Sequence, residues 1–118
     1  MIGNRIVAMA SDARQEFRRG TIILAVLSAL RREQHGYPLR KMLAGHGLEV
    51  DEGTLYPLLK RLEGKGILKG RWGKSAGRVR RVYSLSPKGT AYLGLLTREW
   101  KHSNAMLEGL LEEARPRE

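Results

Sequence analysis

The chain contains no cysteine, which excludes disulfide frameworks, thiolate metal sites and cysteine nucleophiles. Such a chain is compatible with a reducing compartment. Its longest apolar run, Thr21 to Leu30, is too short to cross a bilayer and is closed by two arginines. Arg5 interrupts the apolar residues at the start of the chain, and no signal-peptide pattern follows it. These absences predict a cytoplasmic protein with no membrane partner.

Residues for catalysis and metal binding are also sparse. The three histidines, His35, His46 and His102, are scattered, and no acidic or histidine cluster has the spacing of metal ligands. The glycines on either side of Lys65 form neither a Walker loop nor a dinucleotide-binding fingerprint. The sequence therefore predicts that the protein is not an enzyme and holds neither a metal nor a cofactor.

What the chain has in excess is positive charge. It contains 22 lysine and arginine residues against 12 acidic residues, a formal net charge of +10 over 118 residues. A small protein this basic usually binds a polyanion, either a nucleic acid or an anionic membrane surface. The alternative is a solvated cationic surface with no such partner. Apolar residues make up 42% of the chain, so we expect one folded domain rather than disorder.

Helical periodicity predicts the first part of the fold. Apolar residues recur at helical spacing from Ser11 to Glu33, and Ser11 or Asp12 can serve as the N-cap. After a turn, Pro38 is suited to the first turn of a second helix, because its missing N–H had no helical acceptor there. Gly45 is predicted to end that helix.

A third helix and a hairpin follow. Asp51 is predicted to cap the helix and Gly64 to end it. Strands are predicted over Ile67–Trp72 and Val79–Leu85, with a turn over Gly73–Gly77. The buried stripe of the third helix is predicted to be Leu55, Leu58, Leu59 and Leu62.

The last helix is predicted to start at the cap Ser86, with Pro87 in its first turn, and to run to about Arg115. It carries a coiled-coil seam with 3-4-3-4-3 spacing, which consists of Leu93, Leu96, Trp100, Ser103, Leu107 and Leu110. We interpret this seam as a dimer interface, because one helix cannot bury both the seam and a core face alone. The alternative is packing against the first helix of the same chain.

Three helices followed by a hairpin is the order of a winged helix-turn-helix. In that fold the third helix enters a DNA groove, and the hairpin (the wing) contacts the backbone beside it. The sequence thus predicts a mostly helical α+β protein that binds double-stranded DNA. We expect residues 1–86 to form the DNA-binding domain, including the N-terminal helix. Residues 87–118 are expected to form a C-terminal dimerisation helix within the same compact unit.

Candidate readers of DNA lie outside the leucine stripe of the third helix. They are Thr54, Tyr56, Pro57, Lys60 and Arg61. Lys60 and Arg61 diverge by about 100° around the helix, so only one is expected to face a base. Tyr56 can contact a phosphate or a thymine methyl group, or it can be a half-buried core residue. Tyr37 and Lys41, at the start of the second helix, are further candidates for phosphate contacts.

The wing is strongly basic, with seven lysine or arginine residues and no acidic residue over residues 67–88. Alternation along a strand predicts that Arg78 and Arg80 project to one side and Arg81 to the other. We expect Lys74, Arg78 and Arg80 to contact the DNA backbone or the minor groove, with Arg81 as a further candidate. The alternative is that these cations protect an exposed sheet edge from pairing.

Several segments together resemble the PadR family of transcriptional regulators. They are His35-Gly36-Tyr37, then Gly53-Thr54-Leu55-Tyr56-Pro57 with Lys60-Arg61-Leu62-Glu63 behind it, then Gly66-Ile67-Leu68, and the hairpin end from Gly77 to Gly89. The resemblance spans Arg19 to Leu111. The single C-terminal helix is similar to that of the short PadR subgroup, which includes multidrug-sensing repressors. This resemblance implies a repressor that forms homodimers through its first and last helices and binds an inverted-repeat operator.

Trp100 matches the position at which the drug-sensing relatives stack planar aromatic ligands between subunits. The resemblance therefore implies a small aromatic or cationic effector at the subunit interface. The alternative for this residue is simple packing within the interface.

Other functions remain open at this point. A non-specific architectural, nucleoid-associated DNA-binding protein would use the net charge without a preferred site. A winged helix can also serve as a protein-interaction module, and a basic face can bind an anionic membrane. A palindromic footprint favours the regulator, whereas binding that depends only on duplex length favours the architectural protein.

Overall fold

The computed structural model of the protein describes residues 2–116. These residues form four helices and a three-stranded antiparallel sheet with strand order β1-β3-β2. The elements are α1 (Ile2–Ala29), β1 (Gln34–His35), α2 (Gly36–Gly45), α3 (Glu52–Gly64), β2 (Leu68–Ser75), β3 (Arg78–Leu85) and α4 (Pro87–Glu113). The mostly helical α+β fold predicted from the sequence, a winged helix-turn-helix with an additional long helix, is confirmed.

Helix α1 is longer at its start, and ends earlier, than the sequence predicted. It begins at Ile2 rather than near Ser11, because residues 4–12 contain no helix breaker even though their apolar periodicity is weak. It ends at Ala29 rather than at Glu33. The carbonyl groups there are used by other elements: Gln34 Nε2 donates to Ala29 O over 2.9 Å, and Leu85 N donates to Leu30 O over 3.1 Å.

The core is formed where the second half of α1 packs against α2, α3 and the sheet. Its fully buried large side chains are Val26, Leu27, Leu30, Leu39, Leu55 and Leu59. Burial of each leucine contributes about 1.5–3 kcal/mol relative to exposure. The predicted leucine stripe of α3 is confirmed, since all four of its members are buried.

The start of α3 is set by the predicted cap. Asp51 Oδ1 accepts a hydrogen bond from the Thr54 backbone N–H over 2.7 Å. Pro57 lies inside the helix but close to its start, where its missing N–H removes one hydrogen bond. The helix ends at Gly64 as predicted. The buried leucines therefore hold α3 against the core, and the opposite side of the helix stays exposed.

The hairpin has longer strands and a shorter turn than predicted. Only Ala76 and Gly77 form the turn, with φ values of 51° and 77°, as a two-residue hairpin turn requires. Gly73 and Lys74 therefore belong to β2 and not to the turn. A further strand, β1, was not predicted at all. His35 pairs with Val82 and Gln34 with Tyr83, so α2 begins directly afterwards at Gly36, and Pro38 lies in its first turn as predicted.

Helix α4 is joined tightly to the start of β2. Ser86 caps the helix as predicted, accepting from the Gly89 N–H over 2.9 Å and donating to Ile67 O over 3.0 Å. Gly89 lies directly against the Ile67 carbonyl, where any Cβ atom would overlap it. Lys88 Nζ also donates to Lys65 O over 2.9 Å. These contacts fix the base of α4 beside the end of α3.

Two helical segments extend beyond the core. We call residues 3–17 of α1 and residues 100–113 of α4 the arms, and no residue in either arm is buried. The radius of gyration of 17.7 Å exceeds the value of about 13.5 Å expected for a compact chain of this length. None of the helices within residues 2–116 combines the length and apolar character that a bilayer crossing requires.

Candidate nucleic-acid interface

One stripe of α3 faces the wing. Tyr56, Lys60 and Glu63 follow one another at spacings of four and three residues, so they lie on the same side of the helix. The Tyr56 ring packs against Gly36, where a Cβ atom would overlap it, and Glu63 forms an ion pair with Arg81 of β3. Lys60 is exposed between these two contacts.

Lys60 and Arg61 are both exposed, and neither forms an ion pair within residues 2–116. Because they are adjacent, their side chains leave the helix in directions about 100° apart. Pro57 lies on the same exposed surface, one turn earlier. The helix therefore presents two exposed cations that point in different directions.

A shallow depression of about 250 Å³ brings three elements together beside this stripe. It is lined by Gly36, Tyr37, Tyr56, Arg80, Arg81 and Tyr83. Tyr37 is 57% exposed, and the Lys41 ammonium lies 5.6 Å from the centre of its ring. The N-terminus of α2 has no side-chain cap and no acidic residue in its first turn. Its partial positive charge therefore adds to that of the neighbouring cations.

The sequence left open whether Tyr56 is a half-buried core residue or an exposed contact residue, and its position has features of both. Its ring rests on Gly36, yet the side chain remains 36% exposed and lines the depression. Tyr83, beneath it, is buried, and this burial raises the pKa of the Tyr83 phenol, with a further increase from the nearby Glu63 carboxylate. Tyr83 thus keeps a neutral hydroxyl next to the arginine side chains that line the depression.

The wing separates its cations onto two faces. Residues paired directly across β2 and β3 share a face. The pairs Ser75–Arg78 and Gly73–Arg80 place both arginines on one face, whereas Lys74–Val79 and Trp72–Arg81 lie on the other. The predicted separation of Arg81 from Arg78 and Arg80 agrees with this register, but Lys74 lies on the face opposite these two arginines.

Arg81 is held within the protein. Its guanidinium forms an ion pair with Glu63, and both side chains are only 28% exposed. The same guanidinium lies 5.0 Å from the centre of the Trp72 ring. A second pair joins Arg71 to Glu33, and the Arg71 guanidinium lowers the pKa of the Glu33 carboxyl. The sequence indicated Glu63 only as part of the segment that resembles the family. No neighbouring residue in the sequence indicated that Arg81 is its partner.

Thr54 lies at the other end of the helix surface, away from the wing. With Asp51 it lines a depression of about 320 Å³, together with Gln15, Arg18, Arg19 and Ile22 of α1. Hydrogen bonds from Thr54 lower the pKa of the Asp51 carboxyl, and Arg40 and Arg18 lower it further. Sequence reasoning missed Arg18, because the contact between α1 and α3 is tertiary.

The predicted seam of α4 divides into two parts. Leu93 and Leu96 pack against the core of their own chain, which is the alternative considered for the seam as a whole. Beyond them Trp100, Leu107 and Leu110 are 46%, 45% and 55% exposed. Ser103, between them, is half-buried. Only the part of the seam that lies in the arm is therefore uncovered.

The other arm is uncovered as well. Its large apolar side chains are between 60% and 71% exposed, and they are Ile6, Val7, Met9 and Phe17. Within residues 2–116 no group of three or more histidine, cysteine or acidic side chains could hold a metal ion. The surface features are thus a cationic side around α3 and the wing, and apolar arms.

The fold and this cationic surface agree with what comparison with known proteins finds. The model of the transcriptional regulator PadR-like family matches residues 23–95, well over half of the chain. The chain belongs to the PadR-like family. Its members are transcriptional regulators, so this PadR-family protein is a DNA-binding regulator and not an enzyme.

Individual relatives agree with this assignment. The transcriptional regulator Rv3488 of Mycobacterium tuberculosis is 44% identical over 80 residues, which cover 67% of this chain and 75% of the relative. A PadR family transcriptional regulator from Eggerthella lenta has a similar structure, with a TM-score of 0.84 and 35% identity over 94% of this chain and 98% of that one. A PadR-like regulator from Bacillus cereus is similar at a TM-score of 0.74 and 28% identity, covering 81% and 96%.

Proposed function

We propose that this PadR-family protein is a dimeric repressor that occupies an inverted-repeat operator. The observation that supports this most is the combination of a complete winged-helix core with arms whose apolar side chains are uncovered. Burial of exposed apolar surface contributes about 25 cal/mol per Å², and pairing of the arms would set this gain against the entropy lost on association. A two-fold pair would also offer two recognition helices to major grooves about 34–36 Å apart.

In this proposal α3 is the recognition helix, and Lys60 or Arg61 supplies the base contact. Both are exposed and free of ion pairs in the part of the chain that the structure describes. A bidentate contact with a guanine edge discriminates between bases by about 1–3 kcal/mol. Thr54, Tyr56 and Pro57 complete the side of the helix that meets the groove.

The backbone contacts come from two places. Tyr37 and Lys41 lie at the uncapped start of α2 beside Arg80, an arrangement suited to a phosphate. At the tip of the wing, Lys74 and Arg78 lie on opposite faces of the hairpin. We assign them to the two walls of a minor groove, one strand of DNA for each residue. Arg81 is left out, because Glu63 already neutralises it.

An effector site at Trp100 is part of the proposal. Two-fold pairing of the α4 arms would bring two half-exposed indoles together, and each stacking contact with a flat cation contributes about 0.5–2 kcal/mol. Quenching of tryptophan fluorescence by a planar acridine dye, without DNA, tests this. We expect Trp100→Leu to abolish the quenching and Trp72→Leu to leave it. Equal quenching in both variants would remove Trp100 from any effector site.

A non-specific architectural protein is the second candidate, and the net charge of +10 favours it. Such a protein would need the cations of the wing but no geometric match between two recognition helices. The two candidates therefore differ in whether a preferred, symmetric DNA sequence exists.

The test is selection of bound fragments from random duplex DNA at roughly physiological salt, where non-specific binding is weak. We expect enrichment of an inverted repeat with half-sites about 10 base pairs apart, centre to centre. Leu107→Glu, designed to separate the arms, is the matched control and should enrich single half-sites weakly. Binding that follows only duplex length and salt would favour the architectural protein instead.

A further inference from the structure

We propose that Glu63 is a positioning residue: through its ion pair with Arg81 it holds the wing against the recognition helix, and specific DNA affinity depends on this pair. The wing here means β2, β3 and their turn. The inference rests on the proposed operator-binding function, and one of its tests is independent of DNA.

The pair joins three elements at one point. Glu63 lies in the last turns of α3, Arg81 lies on β3, and the Arg81 guanidinium stacks 5.0 Å from the ring centre of Trp72 on β2. Both charged side chains are only 28% exposed. Because solvent screens such a pair less than a fully exposed one, we expect its attraction to be stronger than that of most surface ion pairs.

Gly70 makes room for this pair. A Cβ atom at Gly70 would lie 2.5 Å from Arg81 Nη2 and 2.5 Å from Glu63 Oε2. Gly70 is paired with Tyr83 in the sheet, on the face that carries Arg81. Every side chain larger than hydrogen at this position would therefore displace the ion pair, and the strand conformation alone does not demand glycine there.

The charges explain why we assign positioning rather than DNA contact. Residues 67–88 contain no acidic residue, so Glu63 is the carboxylate that meets this basic segment from α3. Unpaired, the carboxylate would repel phosphate, and the guanidinium would attract any phosphate without regard to sequence. Pairing cancels both effects and leaves a fixed distance between helix and wing.

A second ion pair also holds the wing in place, on the opposite face of the hairpin. Arg71 lies on the opposite face of the hairpin from Arg81 and pairs with Glu33, which precedes β1. Its side chains are more exposed, at 60% and 43%, so we expect its contribution to be smaller. The hairpin is thus tied to the helical body on both faces.

The first test measures affinity for the selected operator and for random DNA of the same length. Glu63→Gln should lower the ratio of the two affinities about tenfold, within the range of coupling between neighbouring groups. Arg81→Gln should do the same, and the double variant should lose no more than either single one. Glu52→Gln is the matched control on the same helix, since its pair with Arg40 leaves the Glu52 side chain 66% exposed. We expect it to keep the wild-type ratio.

Salt dependence distinguishes positioning from contact. We expect Arg81→Gln to leave the slope of log affinity against log salt unchanged, because Arg81 touches no phosphate. A slope reduced by about 0.9 would assign Arg81 to a phosphate and overturn the proposal. An unchanged affinity ratio in Glu63→Gln would overturn it as well.

The second test needs no DNA. With 5-fluorotryptophan in the chain, the ¹⁹F resonance of Trp72, assigned by its loss in Trp72→Phe, should shift and broaden in Glu63→Gln and in Gly70→Ala but not in Glu52→Gln. If no operator is selected, the proposed function fails while this readout still decides whether the pair holds the wing. A Trp72 resonance that is the same in all variants would refute the positioning role.

Discussion

The core and the arms of this protein share two helices, yet the same helices behave differently in each. Where α1 passes through the core, Val26 and Leu27 have no exposed surface. In its arm, Val7 and Phe17 are 70% and 71% exposed. The core is closed by contacts within one chain, and the arms carry apolar side chains that their own chain does not cover. The difference teaches that one continuous helix can be fully packed at one end and carry uncovered apolar side chains at the other.

The family match follows the same division. It begins at residue 23, where α1 enters the core, and ends at residue 95, before the arm of α4. The features shared with the family model thus lie in the core. The role of the arms is inferred from their exposed surface instead.

The largest expected effect is a difference in the free energy of unfolding between a leucine substitution in the core and one in an arm. Leu59 is fully buried in α3, so Leu59→Ala should lower the free energy of unfolding by about 2–5 kcal/mol. Leu111, 73% exposed and outside the seam, is the matched leucine, and Leu111→Ala should change stability by less than about 0.5 kcal/mol. Urea unfolding of both variants measures the difference. Similar losses would mean that the arm is covered as fully as the core.

The next prediction concerns assembly. Leu107→Glu puts a charge into the uncovered part of the seam, and we expect monomers in sedimentation with the helical content retained. Ala105→Glu adds the same charge about 200° around the helix and should leave the dimer intact. A dimer that persists in Leu107→Glu, or dissociates equally in both variants, would move the interface away from the seam.

A smaller effect is expected at the wing. Arg80→Ala should weaken binding to all sequences alike and reduce the salt slope by about one unit, because one phosphate contact is lost. Arg115→Ala removes the same side chain beyond the far end of α4, about 40 Å along the helix from the wing, and should leave the slope unchanged. Titrations at several salt concentrations check this. A slope unaffected by Arg80→Ala would take Arg80 out of the interface.

The smallest effect is on stability in acid. Hydrogen bonds from Thr54 hold the pKa of Asp51 below its usual value of 3.8. Between the lowered and the usual pKa the unfolded state binds more protons, so this contribution is present above about pH 4 and is lost as the pH falls through the folded value. Asparagine caps a helix comparably without titrating. Melting temperatures between pH 2 and 6 should therefore fall less steeply for Asp51→Asn than for the wild type, and parallel curves would contradict this account.

Local patterns allowed much of the fold to be predicted. The Asp51 and Ser86 caps and the leucine stripe of α3 depend on residues a few positions apart, so the sequence alone indicates them. Strand β1 could not be predicted, because it has only two residues and both pair with residues of β3 that lie far away in the sequence. The start of α1 was missed since its arm has no core to impose periodicity.

The site was predictable only in part for the same reason. Alternation along one strand separates Arg80 from Arg81, but the face of Lys74 depends on the turn length, and the predicted turn was too long. The pairing of Glu63 with Arg81 joins a helix to a strand and leaves no local signal.

The close contact of Gly89 with the Ile67 carbonyl fixes the base of α4, so α4 can move only by tilting about this contact. The helix extends about 40 Å from that point, so moving its far end by about 2 Å requires a tilt of only about 3°. Lys88 donates to Lys65 O just after α3, and Ser86 donates to Ile67 O two residues further on, so these contacts would pass such a tilt to the end of α3. In the proposed dimer, a small molecule held between the arms would therefore turn the proposed DNA-reading surface without touching it.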